Sequence, residues 1–396
     1  MKGLALLCLL LLAARPARAA EAPLDYPRLA VEITNRFFDQ DFFSDRPLDA
    51  AKWRDLFWEE IGHYYPAVSP EVKEASLPAF QAGESGLRQG QIDFARKLAA
   101  EAKAPVSDSI LFSALINGWL KGRDKYALWE TAGDSRQWNS YLSGRLHGIG
   151  VRWAEQRGPG GSLKVEMVVP KAPAEEAGLK PGMEVIGLLI DGQAVDLPST
   201  RGADLAARIG NARQVTLRTA TQSYTASPRD IVFQEAQPSL EKEKGAPVLR
   251  VPHFDRGTAG TCGTLLAPVA QAPTLILDLR ECGGGYTDAA IDLLGMLEGP
   301  GPIGVVWKYR DEVGRVREKP MSTQADRIWK GKNLVVRVSQ NTASAAELML
   351  MSLRQKPGVK VEGGATYGKT TSQDILRTGG NSELRLSVSQ FSPAEG

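Results

Sequence analysis

Three cysteines and three histidines are all that this 396-residue chain carries. The histidines, His63, His147 and His253, lie far apart, and neither an HExxH nor a CxxC pattern occurs. The sequence therefore offers no metal site, and no cofactor is expected. Charge of neither sign dominates. The formal net charge is +2, which gives no basic surface for nucleic acid or for an anionic membrane. There is no internal repeat and no low-complexity tract. Beyond the N-terminus no apolar run reaches the roughly 20 residues needed to cross a bilayer. What is present, 43% hydrophobic and 24% charged residues, is ordinary globular composition, and the length allows two or three domains.

The N-terminus is a targeting signal by its pattern. Lys2 precedes the apolar run Leu4–Leu12, and Ala17-Arg-Ala19 follows as a small-x-small cleavage site. Residues 1–19 are expected to be a secretory signal peptide, so the mature chain is expected to be exported and soluble. Cys262 and Cys282 remain after cleavage. An oxidising compartment permits a bridge between them, and the sequence leaves bridge and free thiols both open.

Three regions differ in pattern. Residues 20–145 read as helical, with apolar side chains at helical spacing in Leu29–Phe38 and Ile110–Leu120. Their aromatics, Phe37, Phe38, Phe42, Phe43, Trp53, Phe57 and Trp58, are assigned to packing. Residues 146–228 read as a β-rich module: Val165–Val169, Val185–Ile190 and Gln214–Arg218 are short strands separated by turns such as Asp191-Gly192. Residues 229–396 alternate strand and helix. Thr274–Leu279 is a strand that meets Gly283-Gly284-Gly285, and Asn333–Val338 is a strand leading into a helix that starts near Ser344. The whole reads as multidomain α+β.

The chemistry is expected at that second junction. Ser344 opens a helix, and Lys369 lies 25 residues on (369 − 344). A serine hydroxyl is a weak nucleophile until a base removes its proton, and a buried lysine can be that base. An ordinary lysine titrates near about 10.4; burial lowers this by disfavouring the charged form. Gln373 can orient the amine without adding charge. At the helix start the Ala345 N–H is unpaired and near the positive end of the helix dipole, so it can hold an oxyanion. Gly284 and Gly285 can bring a second amide close, since neither carries a side chain. Each element has a plain alternative: a helix N-cap serine, a solvated lysine. The segment Gly363–Thr370 also fits the GxxxxGK[ST] phosphate loop. Only 27 residues follow Lys369 (396 − 369), too few for the strands and magnesium carboxylate of a nucleotide domain.

Together these motifs resemble the carboxy-terminal processing peptidases, or tail-specific proteases. The match is strongest in Thr342-Ala-Ser-Ala-Ala-Glu347 and Thr366–Gln373. The resemblance implies Ser344 as nucleophile, Lys369 as general base, Gln373 as orienting residue, and an oxyanion hole of Ala345 with Gly284 and Gly285. It implies a crotonase/ClpP-like α/β protease core over 229–396, short at its C-terminus, and a PDZ domain over 146–228. Gly148-Ile149-Gly150-Val151 matches that domain's carboxylate-binding loop and Pro170–Gly182 the segment after it. Backbone amides there would capture a peptide's C-terminus as an added strand, with Ile149, Val151, Leu205 and Ile209 lining an apolar pocket or simply forming the module's core.

Departures from the family pattern are Cys282-Gly-Gly-Gly285 in place of Asn-Pro-Gly-Gly, and Met183 in place of an acidic residue. The implied function is a serine endopeptidase of the bacterial periplasm. It would act on unfolded or tail-bearing protein substrates, gate its site by PDZ engagement, form a homodimer through the N-terminal helices and partner an adaptor lipoprotein. The alternative is an inactive PDZ-based binding or adaptor protein.

Overall fold

A computed structural model of the chain describes residues 24–64, 80, 86–101, 107–131, 135, 145–154, 158–198, 200, 202–232 and 237–394; the expected signal peptide lies outside them. Helix α1 (Tyr26–Gln40) starts at Asp25, whose carboxylate accepts the Arg28 N–H at 3.2 Å. Leu29, Ile33 and Phe37, spaced four apart, are its buried stripe. Helices α2 (Ala50–Tyr64), α3 (Gln89–Glu101) and α4 (Asp108–Lys121) follow. Ser107 caps α4, and every residue from Ile110 to Leu120 except Asn117 is buried, so α4 is the central helix. Gly118 lets α2 approach: a Cβ there would lie 2.7 Å from the Trp53 ring. The Trp53 indole N–H donates to the Leu115 carbonyl at 2.8 Å, which satisfies its polar atom inside the core.

After α4, strand β1 (Leu128–Glu130) is followed by β2 (Arg145–Gly148), β3 (Val151–Trp153) and β4 (Leu163–Val168). A one-turn helix α5 (Pro173–Glu176), β5 (Glu184–Val185), β6 (Gly187–Ile190), β7 (Gln193–Ala194), α6 (Gly202–Asn211), β8 (Val215–Arg218), β9 (Ser223–Ala226) and β10 (Arg229–Val232) complete the middle module. Its strands form two small sheets, β3-β4-β5 and β7-β6-β8-β9. They enclose a core of their own that includes Leu163, Val165, Leu188, Leu217 and Tyr224. Strands β2 and β10 pair antiparallel, Gly148 opposite Arg229. The module's first and last strands thus join in one ribbon.

The remaining elements are β11 (Ser239–Glu243), β12 (Ala246–Arg250), α7 (Thr258–Leu266), β13 (Thr274–Asp278), α8 (Thr287–Glu298), β14 (Gly301–Arg310), β15 (Val316–Thr323), β16 (Asn333–Val338), α9 (Ala345–Leu353), β17 (Val359–Gly363), β18 (Thr371–Thr378) and β19 (Ser382–Pro393). One sheet runs β11-β12-β13-β16-β17, parallel from β12 onward with β11 antiparallel at its edge. The strand–helix alternation read from the sequence produces it, because a parallel pair needs a crossover. Strand β13 is buried along almost its whole length, which fits an interior strand of such a sheet. A second sheet, β1-β19-β14-β15 with β18 on β19, is antiparallel. The helical region does not close its core alone: Leu384 and Leu386 of β19 are fully buried among its helices.

Candidate active site

Strand β16 ends at Val338, and the turn after it is sewn to the turn after β13. The Thr342 hydroxyl donates to the Leu279 carbonyl at 2.8 Å, the Asn341 amide to the Glu281 carboxylate at 3.0 Å, and the Ala343 N–H to the Cys282 carbonyl at 3.0 Å. These bonds align the two strand ends where the sequence placed the nucleophile. Ser344 follows with φ 55° and ψ −118°. A side chain rarely adopts that conformation; holding it costs roughly 1–3 kcal/mol and lifts the residue out of both strand and helix. Ser344 therefore sits on a sharp strand-to-helix turn, half-buried, directly ahead of α9.

Glycine is required beside it. A Cβ on Gly284 would lie 2.7 Å from the Ala343 carbonyl oxygen, 2.8 Å from Ser344 Cβ and 3.2 Å from the Ala345 nitrogen, and φ is +97°. Gly285 has φ +133°, and a Cβ there would meet the Phe254 carbonyl oxygen at 2.1 Å. The Gly284 carbonyl accepts the Phe254 N–H at 2.8 Å. In a trans peptide the next N–H points the opposite way, so the Gly285 N–H faces away from Phe254. Ala345 opens α9, so its N–H has no acceptor within the helix.

Lys369 lies just before β18. Its ammonium donates to the Gln373 side-chain oxygen, and Gln373 Nε2 donates to the Tyr126 carbonyl at 2.6 Å. The second bond fixes the first: with its nitrogen held by a carbonyl, the amide must turn its oxygen to the amine. Tyr126 also donates its hydroxyl to the Gly368 carbonyl at 2.9 Å, and its ring centroid is 5.3 Å from Lys369 Nζ. Burial pushes the Lys369 amine down to about 8; Asp124 and Glu347 act against that shift, and Arg385 with it.

Glu347 joins the two halves. Its Oε2 accepts the Ser344 N–H at 2.9 Å and the Lys369 N–H at 2.8 Å. Its Oε1 accepts the Gly368 N–H at 2.8 Å and the Thr366 hydroxyl at 2.6 Å. Two nitrogens on one oxygen can be no farther apart than the two bonds end to end, about 5.7 Å. The backbones of Ser344 and Lys369 thus meet, with Ala345, Gly284 and Gly285 beside the serine and Gln373 on the lysine's amine. Glu347 and Tyr126 belong to this site and were not singled out from the sequence. The Ser-x-x-Glu spacing is a capping-box signal that ties Glu347 to the Ser344 N–H; nothing local announces Tyr126. The phosphate-loop pattern is a coincidence of letters, because the strand β18 follows it where a nucleotide loop needs a helix.

The middle-module residues form a separate group. Gly148 ends β2 and Gly150, at φ +77°, packs so tightly that a Cβ would lie 2.2 Å from Ala172 Cβ. Ile149, Leu205 and Ile209 are buried members of the module's core, Leu205 fully so, while half-buried Val151 packs on its margin. The Ile149 and Gly150 carbonyls accept the Ala174 and Val169 N–H groups, both bonds within 3 Å. Cys262 and Cys282 are buried free thiols, each pushed up to about 12, by burial first. Among the described residues no group of histidine, cysteine and carboxylate side chains is arranged to hold a metal.

Residues 246–396 match the model of peptidase family S41. The chain is 25% identical over 293 residues to the carboxy-terminal processing protease CtpA of Bacillus subtilis, covering 71% of this chain and 61% of that one. It is 26% identical over 274 residues to the tail-specific protease of Haemophilus influenzae, covering 65% of this chain and 38% of that one. It thus spans less than two thirds of these curated relatives' length. A solved structure of a photosystem II D1 C-terminal processing protease aligns over 94% of this chain and 89% of its own, with 18% identity and a TM-score of 0.48. The matched segment contains Ser344, Lys369, Gln373 and Glu347 and leaves Tyr126 outside.

Proposed function

We propose that the chain is an exported serine endopeptidase working through Ser344 and Lys369. The observation that carries this is the shared Glu347 carboxylate, which holds the nucleophile's turn and the lysine's loop within one hydrogen bond of the same atom. A lysine lowered to about 8 supplies free amine near neutral pH. That amine takes the Ser344 proton as Oγ attacks the scissile carbonyl carbon. The negative oxygen is received by the Ala345 and Gly285 N–H groups, each worth roughly 10²–10³ in rate. The Lys369 ammonium then protonates the leaving amine, and water, deprotonated by the same lysine, releases the acyl group. The Gly284 N–H is the other candidate donor of that turn, and its lack of a side chain lets the turn approach Ser344.

The middle module in this reading is a PDZ domain that takes apolar C-terminal tails on the Gly148–Val151 loop. Support comes from the motif and from the loop's place between β2 and β3. Leu205 and Ile209 shape that site from within the core. Export, in this reading to a bacterial periplasm, is supported by the residue 1–19 pattern, and the relatives' names support protein tails as substrates. Dimerisation through the N-terminal helices and a lipoprotein adaptor are parts of the same proposal. No described helix is long and apolar enough to cross a membrane.

The test is cleavage of an unfolded protein ending in apolar residues by wild type, Ser344→Ala and Lys369→Ala. Wild type should turn the substrate over and both variants should lose at least about 10³-fold. Equal cleavage by all three would refute the assignment. Binding of the tail with no turnover by wild type would favour the adaptor reading instead.

A further inference from the structure

We propose that Glu347 is the positioning residue of this site, a single carboxylate that sets the separation of the nucleophile's turn from the base's loop. The inference rests on the Ser344–Lys369 reading above. A helix cap needs only the first of Glu347's bonds, that to the Ser344 N–H. The other three go to Thr366, Gly368 and Lys369, in a loop joining two strands and no part of α9. Four donors on two oxygens fill the acceptor capacity of an ionised carboxylate. The side chain is 6% exposed, so water cannot replace a lost partner. The loop it holds contains Gly363, Gly364 and Gly368 and is largely exposed from Gly363 to Gly368; such a backbone has little of its own to keep Lys369 in register.

The carboxylate also has an electrical effect. Lys369 is faced by Gln373 and Tyr126, by Asp124 from the turn after α4, by Arg385 from β19 and by Glu347 from α9. Of these, Asp124 and Glu347 favour the charged amine. Removing the Glu347 charge should lower the pH at which Lys369 becomes neutral, even as misplacement slows the reaction.

Two measurements on the full chain separate this role from plain structural support. Amide hydrogen exchange reads the tether without turnover. In Glu347→Gln the amides of Ser344 and of Gly368 and Lys369 should lose protection together. Labelling of Ser344 by a fluorophosphonate across pH 6–10 reads the chemistry. It should slow roughly 10- to 100-fold, the scale of a misplacement of about an ångström, and the midpoint of its acid limb should move to lower pH. Thr366→Val, which removes one bond and keeps the charge, should loosen the loop and slow labelling without moving the midpoint. It carries the test alone should Glu347→Gln not fold, and unchanged exchange and labelling in it would then overturn the proposal. Protection retained by either segment in Glu347→Gln, or slower labelling with an unmoved midpoint, also overturns it. Wild type that never labels refutes the peptidase reading, and the exchange result still decides the tether.

Discussion

The Tyr126 carbonyl holds the Gln373 side-chain nitrogen at 2.6 Å across 247 residues of sequence. That bond decides which end of the Gln373 amide the Lys369 amine meets. The Gln373 amide is thus held from outside the segment that matches the family model.

Gln373→Glu tests the need for a neutral orienter. In wild type the neutral fraction of Lys369 rises through pH about 8, so labelling of Ser344 should rise with it. A carboxylate against the amine favours its charged form and raises its pKa, by roughly 1–3 for a close opposite charge. It also faces the Tyr126 carbonyl with no proton to give. The acid limb should move to higher pH, and the rate at pH 7 should fall by about tenfold or more as the limb moves from pH 8 to 9. A pH–rate profile that coincides with wild type would remove Gln373 from the site.

Neighbouring glycines should behave oppositely. Gly285→Ala places a methyl 2.1 Å from the Phe254 carbonyl oxygen at φ +133°. It should destabilise the protein by roughly 1–3 kcal/mol and abolish labelling. Gly283 has nothing within 4 Å of an added Cβ and no positive φ, so Gly283→Ala should melt and label like wild type. Thermal melts and probe kinetics on the pair would check both.

Asp41, at the end of α1, keeps its proton up to about pH 8, because of burial first and then neighbouring Asp124. Unfolded, it releases that proton near 3.8. Between these values the native state binds more protons than the unfolded one, so this group's contribution to stability falls as pH rises from about 4 to 8. Asparagine imitates the protonated acid: it can donate toward Asp124 and still accept the Phe43 N–H, a 2.7 Å bond in wild type. Asp41→Asn should therefore melt near wild type at pH 4 and a few degrees higher at pH 8.5. A melting difference independent of pH would show that the carboxyl does not titrate in this window.

The parts readable from sequence were those whose chemistry is local. Ser344 before an apolar helical stripe, glycines after a buried strand, and Lys369 four residues before Gln373 all carry their meaning within a short span. The motif's Glu347 was in view, yet its bonds to Thr366, Gly368 and Lys369 arise only when β17 and β18 bring that loop over α9. Tyr126 acts mainly through its backbone carbonyl, which no side-chain pattern encodes. The burial of Leu205 and Ile209 shows the converse. An apolar pair four apart on a helix looks the same whether it lines a pocket or fills a core, and only packing distinguishes them.

Strand β19 takes β1, β14 and β18 as neighbours and lends Leu384 and Leu386 to the helices of the N-terminal region. Trp129 in β1 and its partner Leu384 are about 250 residues apart. On the ribosome the first helices must wait, their greasy faces uncovered, until that late segment emerges. A newly made chain thus cannot complete the core of its first helices before its last strand is available to cover them.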